Sequence, residues 1–195
     1  MSGFVRHRRS GAIIATFTGL EADLLRSMAS QLIELLRDQV AAPTESDDPL
    51  EAMLDFSGPS QEPDDPALAR LFPTAYADDE EAAGDFRRYT EQSLRSGKVA
   101  AASTVIDLLE DAGLPAELDE DDLMIDLELD QAEAMAWLRC LNDLRLTLAV
   151  RLEIEDEHDH VRLEALPDDD PRVWAFDVYD YFGGLQSTLV DALEG

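Results

Sequence analysis

The sequence predicts a mostly α protein: a helical bundle of four to five helices with a small N-terminal β-hairpin, which a third strand at 123–129 can join. Three observations lead there. Apolar residues recur at three-to-four spacing along several long segments. Two helix-opening patterns, Thr18-Gly19-Leu20-Glu21 and Asp130-Gln131-Ala132-Glu133, stand directly before such segments. Strand-like character is confined to the N-terminus and to one short alternating run.

Taken in order, Phe4–Arg9 and Ala12–Phe17 flank Ser10-Gly11, and two short strand-like runs around a Gly-bearing turn read as a hairpin. Alternation puts Phe4, Arg6 and Arg8 on one face. The Thr18–Glu21 capping box opens a helix that runs to about Val40, with Leu24, Leu25, Met28, Leu32, Leu35 and Leu36 as its apolar stripe. The stretch 41–66 holds five prolines and many acids, so it reads as an acidic Pro-rich loop or linker, with room for a short helix at 49–55. A turn or two of helix fits 67–72, before Pro73.

Asp79 to about Ala112 is helical in pattern, with a break or bend expected at Ser96-Gly97. Ala82, Phe86 and Tyr89 mark its first half and Val99, Ala102, Ile106 and Leu109 its second; Gly113 suits the C-terminal cap. Apolar and polar residues alternate over Leu123–Leu129, which is a strand signature. Arg6 and Arg8 could then face Asp126 and Glu128 as cross-strand pairs. A helix from Asp130 to about Ile154 follows, then an acidic loop over 155–171, then a helix from Arg172 to about Leu193. Gly183-Gly184 inside the last helix predicts a kink or the close approach of another backbone. No internal repeat occurs, and 195 residues suit a single domain over 1–195.

Charge bounds the function. Asp and Glu number 44 against 15 Lys and Arg, a net charge of −29. A field of that sign repels phosphate backbones, which disfavours direct nucleic-acid binding, and it invites contact with a protein partner. Arg6, Arg8 and Arg9 are the basic cluster, and pairing with the chain's own acids is the expectation for them. No run is long and apolar enough for a membrane span, and no secretion signal is visible, so the cytoplasm is the expected location.

No P-loop, dinucleotide fingerprint, nucleophile elbow or HExxH pattern is present, so no catalytic residue and no cofactor is assigned and a non-enzymatic role is expected. The segment holding Glu153, Glu155, Asp156, Glu157, His158, Asp159 and His160 is the candidate cation site, with His158 and His160 as nitrogen donors. Its spacing matches no EF-hand, and a solvated acidic loop accounts for the same residues. Cys140 is the single cysteine and the redox candidate. Its helical position among apolar neighbours favours a structural thiol, and a lone cysteine forms no intrachain disulfide.

One residue breaks its local rule. On the helix from Asp130, Trp137, Leu138, Leu141, Leu144, Leu148 and Leu152 share a face, and Arg145 falls near its middle with Asn142 toward the edge. A guanidinium there must reach a carboxylate, carbonyls or water. Trp137, Asn142 and Arg145 are therefore the candidate partner-binding residues, against the alternative of a structural ion pair.

The run Trp137-Leu138-x-x-Leu141-Asn142-Asp143-Leu144-Arg145-Leu146-x-Leu148, with Arg151-Leu152 after it, resembles the signature of the actinobacterial "domain of unknown function 2017" proteins. The closing Tyr181-Phe182-x-x-Leu185-Gln186-x-x-Leu189-Val190 is similar as well, as are the hairpin and the Glu21-x-x-Leu24-Leu25 helix start. The resemblance implies a regulator linked to oxidative stress that acts on transcription through a protein partner such as a sigma factor. It also implies gene neighbours for the ClpS protease adaptor and for cysteine synthesis, which leaves open an accessory role in Clp-dependent proteolysis. A member that senses oxidation with an internal cysteine pair would differ from this chain, where Cys140 stands alone. Homodimerisation is a further expectation.

Overall fold

The computed structural model of the protein describes residues 3–38, 59, 61–76, 78–118 and 123–195. The expected loop at 41–66 and its short helix at 49–55 lie almost wholly outside the described residues. The elements are β1 (Phe4–Arg6), β2 (Ile13–Thr18), α1 (Gly19–Asp38), α2 (Pro66–Leu71), α3 (Glu80–Asp111), β3 (Met124–Leu129), α4 (Gln131–Arg151), α5 (Glu157–Glu164) and α6 (Arg172–Glu194). The fold is mostly helical with a three-stranded antiparallel sheet in the order β1-β2-β3.

Alternation sets the sheet. Ile13, Ala15 and Phe17 of β2 pair with Leu129, Leu127 and Ile125 of β3 and turn inward, as does Phe4 opposite Ala15. The connection between β1 and β2 is longer than the expected two-residue turn: the His7 amide donates to the Ala12 carbonyl, and Gly11, at φ +74°, closes a four-residue loop. Only a residue at ease with positive φ sits there without strain. Central β2 also separates β1 from β3, so the expected pairing of Arg6 and Arg8 with Asp126 and Glu128 does not form. Asp126 accepts from the Thr16 hydroxyl at 2.7 Å instead.

Both capping boxes form. The Glu21 amide donates to Thr18 Oγ1 while the Thr18 amide donates to the Glu21 carboxylate, and Asp130 and Glu133 repeat the exchange. Each entry follows a strand, so β2 runs straight into α1 and β3 into α4. Trp137 of α4 lies under the sheet. Its indole stacks on Phe17 with the ring planes 5° apart and meets Phe4 edge-on at 5.4 Å. α4 packs against α6, α3 and α2, which makes it the central helix of the bundle.

α3 departs most from expectation. It runs unbroken through Ser96-Gly97. In its first half, Phe86 and Tyr89 face outward, and Arg87, Glu91 and Arg95 are the buried residues. Glu91 receives Arg87 at 2.9 Å and Arg95 at 2.6 Å. Arg87 also donates twice to the Phe72 carbonyl, and Arg95 donates to the Leu36 carbonyl and lies over the Phe72 ring at 4.7 Å. This charged ladder ties the end of α1 and the residue that closes α2 to one side of α3. On the next turn Lys98 reaches Asp143 of α4 at 2.6 Å. The C-terminal end of α3 follows expectation: Gly113 takes φ +102° and the Leu114 amide returns to the Leu109 carbonyl.

The predicted loop at 155–171 contains α5, opened by Asp156, whose carboxylate accepts from the His158 and Asp159 amides. Leu163 of α5, Leu152 and Phe176 form a small second cluster that holds α5 against α6. In α6 the helix continues through Gly183-Gly184 without a break.

Two expectations follow for stability. A Cβ at Gly97 would meet nothing within 4 Å, so Gly97→Ala should raise the unfolding free energy by about 0.5–1 kcal/mol in urea titration, through helix propensity alone. Glu91→Gln keeps the shape but leaves two buried guanidinium groups without a counter-charge; a loss of about 3–5 kcal/mol is expected. Asp143→Asn should cost less, about 1 kcal/mol, because Lys98 is partly solvated and can turn outward. Equal losses for the two variants would contradict the ladder's role.

Candidate functional site

The α4 segment distributes the sequence-predicted residues to two sides. Trp137 is fully buried and belongs to the core between sheet and bundle, so it is not the partner-contact residue it was expected to be; the rings of Phe4 and Phe17 close over its indole, and its Nε1 finds no acceptor among the described residues. Cys140 is buried as well. Loss of solvation pushes its thiol up to about 12, and the Asp143 carboxylate adds to the shift. Burial and that upward shift keep the thiol protonated near neutral pH, the setting of a structural cysteine. Asn142 is exposed on the other side of the helix, and Arg145 lies half-buried beside it.

Arg145 is set in place by residues of α6. It donates to Gln186 Oε1 at 2.8 Å and to the Tyr179 hydroxyl at 3.2 Å, and its guanidinium carbon stands 4.8 Å from the Tyr179 ring centre. A Cβ on Gly183 would meet Cζ and Nε of Arg145 at 3.4 Å. No backbone approaches the glycine pair; Gly183 makes the floor on which a flat guanidinium rests. No carboxylate lies within salt-bridge distance of Arg145 among the described residues, and its Nε–H has no acceptor there. The expectation that this charge meets oxygen holds, but the oxygens are an amide and a phenol.

Two clefts open on this side. One, of about 410 Å³, is lined by Arg145, Asn142, Arg70, Tyr179, His160 and the turn from Ile154 to Glu157. The other, of about 330 Å³, lies between α3 and α4 and is lined by Leu94, Gly97, Lys98, Arg139, Asn142 and Asp143. Asn142 stands on the ridge between them. Burial raises the Asp143 carboxyl above its ordinary value, although the salt bridge and hydrogen bond from Lys98 pull it down.

The remaining candidates stay apart. His160 bonds to Asp180 at 2.9 Å with its ring against Phe176, whereas His158 is exposed. Asp156 is engaged in capping α5, and Asp159 receives the Glu155 amide and Arg162. Among the described residues no three metal-ligating side chains converge. Arg6 reaches the Leu193 carbonyl, and Arg8 and Arg9 project from the hairpin loop; none of the three has a carboxylate within 4 Å among the described residues, contrary to the expected internal pairing.

Sequence reasoning missed the Arg87–Glu91–Arg95 ladder and Lys98–Asp143. The i, i+4, i+8 spacing of alternating charge was a signal, but solvated helix faces carry the same pattern. At about pH 8, a disulfide reagent should leave Cys140 unmodified in the native protein over a time in which the urea-unfolded chain reacts fully. Equal rates in the two states would show that the thiol is open.

Among the described residues no helix is long and apolar enough to cross a membrane. No solved structure matches the chain. Proteins named "Oxidative stress regulator AosR" from Mycobacterium bovis and Mycobacterium tuberculosis are 35% identical over 188 residues, covering 90% of this chain and 79% of theirs. A Mycobacterium leprae protein named "Putative oxidative stress regulator AosR" is 33% identical over 190 residues, covering 89% and 78%. The sequence profile for the domain of unknown function DUF2017 matches residues 1–193. With that match spanning nearly the whole chain and these relatives beside it, the protein belongs to the DUF2017 family.

Proposed function

We propose that this protein is a non-enzymatic regulator in the response to oxidative stress, and that it acts by binding another protein through the α4 face around Asn142. The observation that carries the reading is the similarity, over nine-tenths of the chain, to relatives named as oxidative stress regulators. The geometry around Asn142 supports this choice of face. Asn142 is exposed on a ridge between two clefts, with Arg139 and Arg145 flanking it. Exposed arginine and asparagine on a rigid helix suit a polar contact to a partner, and arginine is enriched among residues that dominate interface energy. Arg139 and Arg145 beside Asn142 offer donors to polar groups of a partner, on a chain whose overall charge is −29. A transcription component such as a sigma factor is the partner class that the family resemblance suggests. The acidic remainder of the surface fits contact with protein and disfavours contact with nucleic acid.

The test is affinity capture from a native lysate of the source organism under oxidative challenge, with wild-type bait and an Asn142→Arg bait compared. A stoichiometric partner is expected on the wild type, and its affinity should fall at least about tenfold for the variant, since a bulky side chain on the ridge prevents close approach. Recovery of no partner, or of the same partner equally by both baits, would refute the reading. Circular dichroism of the variant should match the wild type, because Asn142 contributes nothing to the buried core.

A further inference from the structure

Each described arginine or lysine drawn out of full exposure has a carboxylate within salt-bridge distance, with one exception. Arg26 meets Asp23, Arg87 and Arg95 share Glu91, and Lys98 meets Asp143. Arg145 has none, in a chain with nearly three acids for every base. Two of its five N–H groups go to neutral oxygens and Nε–H is closed off against α6, which leaves the second hydrogens of the two terminal nitrogens unspent. A guanidinium held in fixed orientation with unspent donors is a ready receptor for a carboxylate.

The cleft it lines carries the opposite sign elsewhere. The turn into α5 contributes Glu155, Asp156 and Glu157 to the same lining. Asp156 is spent on backbone amides, while the Glu155 and Glu157 carboxylates have no hydrogen bond or ion pair among the described residues. Between these groups Leu146 and Ile154 supply apolar wall. The volume, about 410 Å³, falls in the range of small-molecule sites, on the order of 300–1,000 Å³.

From this arrangement we infer that the Arg145 cleft binds a small zwitterion of the α-amino-acid class with an apolar side chain. The ligand's carboxylate sits on Arg145, with Asn142 and Tyr179 beside it, and its ammonium on the Glu155–Glu157 rim. Overall neutrality matters. A dianion or an acidic peptide would meet the rim carboxylates and the field of the whole chain, and a polyamine would meet Arg145 and Arg70. Only a ligand carrying both signs on one small frame satisfies both walls. The inference goes beyond the partner-binding reading and stands independently of it.

Isothermal calorimetry on the full chain at low ionic strength tests it, with L-leucine, isocaproate (the same skeleton without the ammonium) and isoamylamine (without the carboxylate) as probes. L-leucine should bind saturably, and each one-charge analogue at least about tenfold more weakly. Arg145→Gln should lose L-leucine binding by a similar factor. Glu155→Lys, on the exposed rim where folding is not at stake, should also lose L-leucine but keep or strengthen isocaproate. No heat from L-leucine at millimolar concentration would overturn the proposal. So would equal binding of isocaproate and L-leucine by the wild type, or L-leucine binding left unchanged by both variants.

Discussion

The rest of the bundle depends on one buried carboxylate shared by two buried guanidinium groups. Glu91 receives both Arg87 and Arg95 on successive turns of α3, and the two arginines spend their remaining donors on the carbonyls of Phe72 and Leu36. Those carbonyls lie at the end of α2 and near the end of α1, where helices leave acceptors unsatisfied. One ladder thus closes two helix ends and sets the height at which α2 and α1 meet α3. An apolar stripe could hold the same helices with equal or greater strength, because desolvation offsets much of the attraction in a buried ion pair. It could not select a register so narrowly. Apolar contacts tolerate a slide of one turn, whereas a bidentate arginine on a particular carbonyl does not.

That constraint carries through to the candidate face of α4. With α3 fixed, Lys98 lands on Asp143 and draws the middle of α4 toward α3, which leaves Asn142 on the ridge. On the other flank α6 holds Arg145 by a different device. Gly183 lacks the side chain that would lift the guanidinium, Tyr179 supplies a ring and a hydroxyl, and Gln186 an amide oxygen. The two flanks treat cations oppositely. Against α3 each cation has a carboxylate partner within the fold; against α6 one cation is oriented by neutral groups alone, and that difference is what singles out the α6 flank as the candidate site.

How far the sequence foretold this differs by element. Both capping boxes, the third strand, the stripes of α1 and α6 and the Gly113 cap were legible, because each is set by residues within a few positions of one another. Strand order was not: nothing local distinguishes β3 pairing with β1 from β3 pairing with β2, and the charge complementarity of Arg6 and Asp126 pointed the wrong way. The inward face of α3 was misread because Phe86 and Tyr89 look like core and Arg87 and Glu91 like surface. Burial reversed that order once the arginines had carbonyls to reach, and those carbonyls belong to other elements. For the site, Arg145 was legible as an anomaly, and Asn142 as its neighbour. The role of Gly183 was not, since a glycine that accommodates a side chain from across an interface looks in sequence like any helix-weakening glycine. Trp137 was read on the correct apolar face but offered as a partner contact, because aromatic residues serve cores and interfaces alike.

The position of Cys140 narrows how a stress signal can reach this protein. A thiol raised to about 12 and closed off by the core has almost no thiolate to oxidise, and oxidation follows thiolate character and exposure. Reaching it requires opening the main core, to which Cys140, Trp137, Phe17 and Phe4 all belong. That region carries the largest buried side chains of the molecule, and such regions open last. A signal read in that way would register unfolding and not peroxide. The proposed contact lies instead where the structure is open and a charge is left unspent, at Arg145 and the ridge at Asn142.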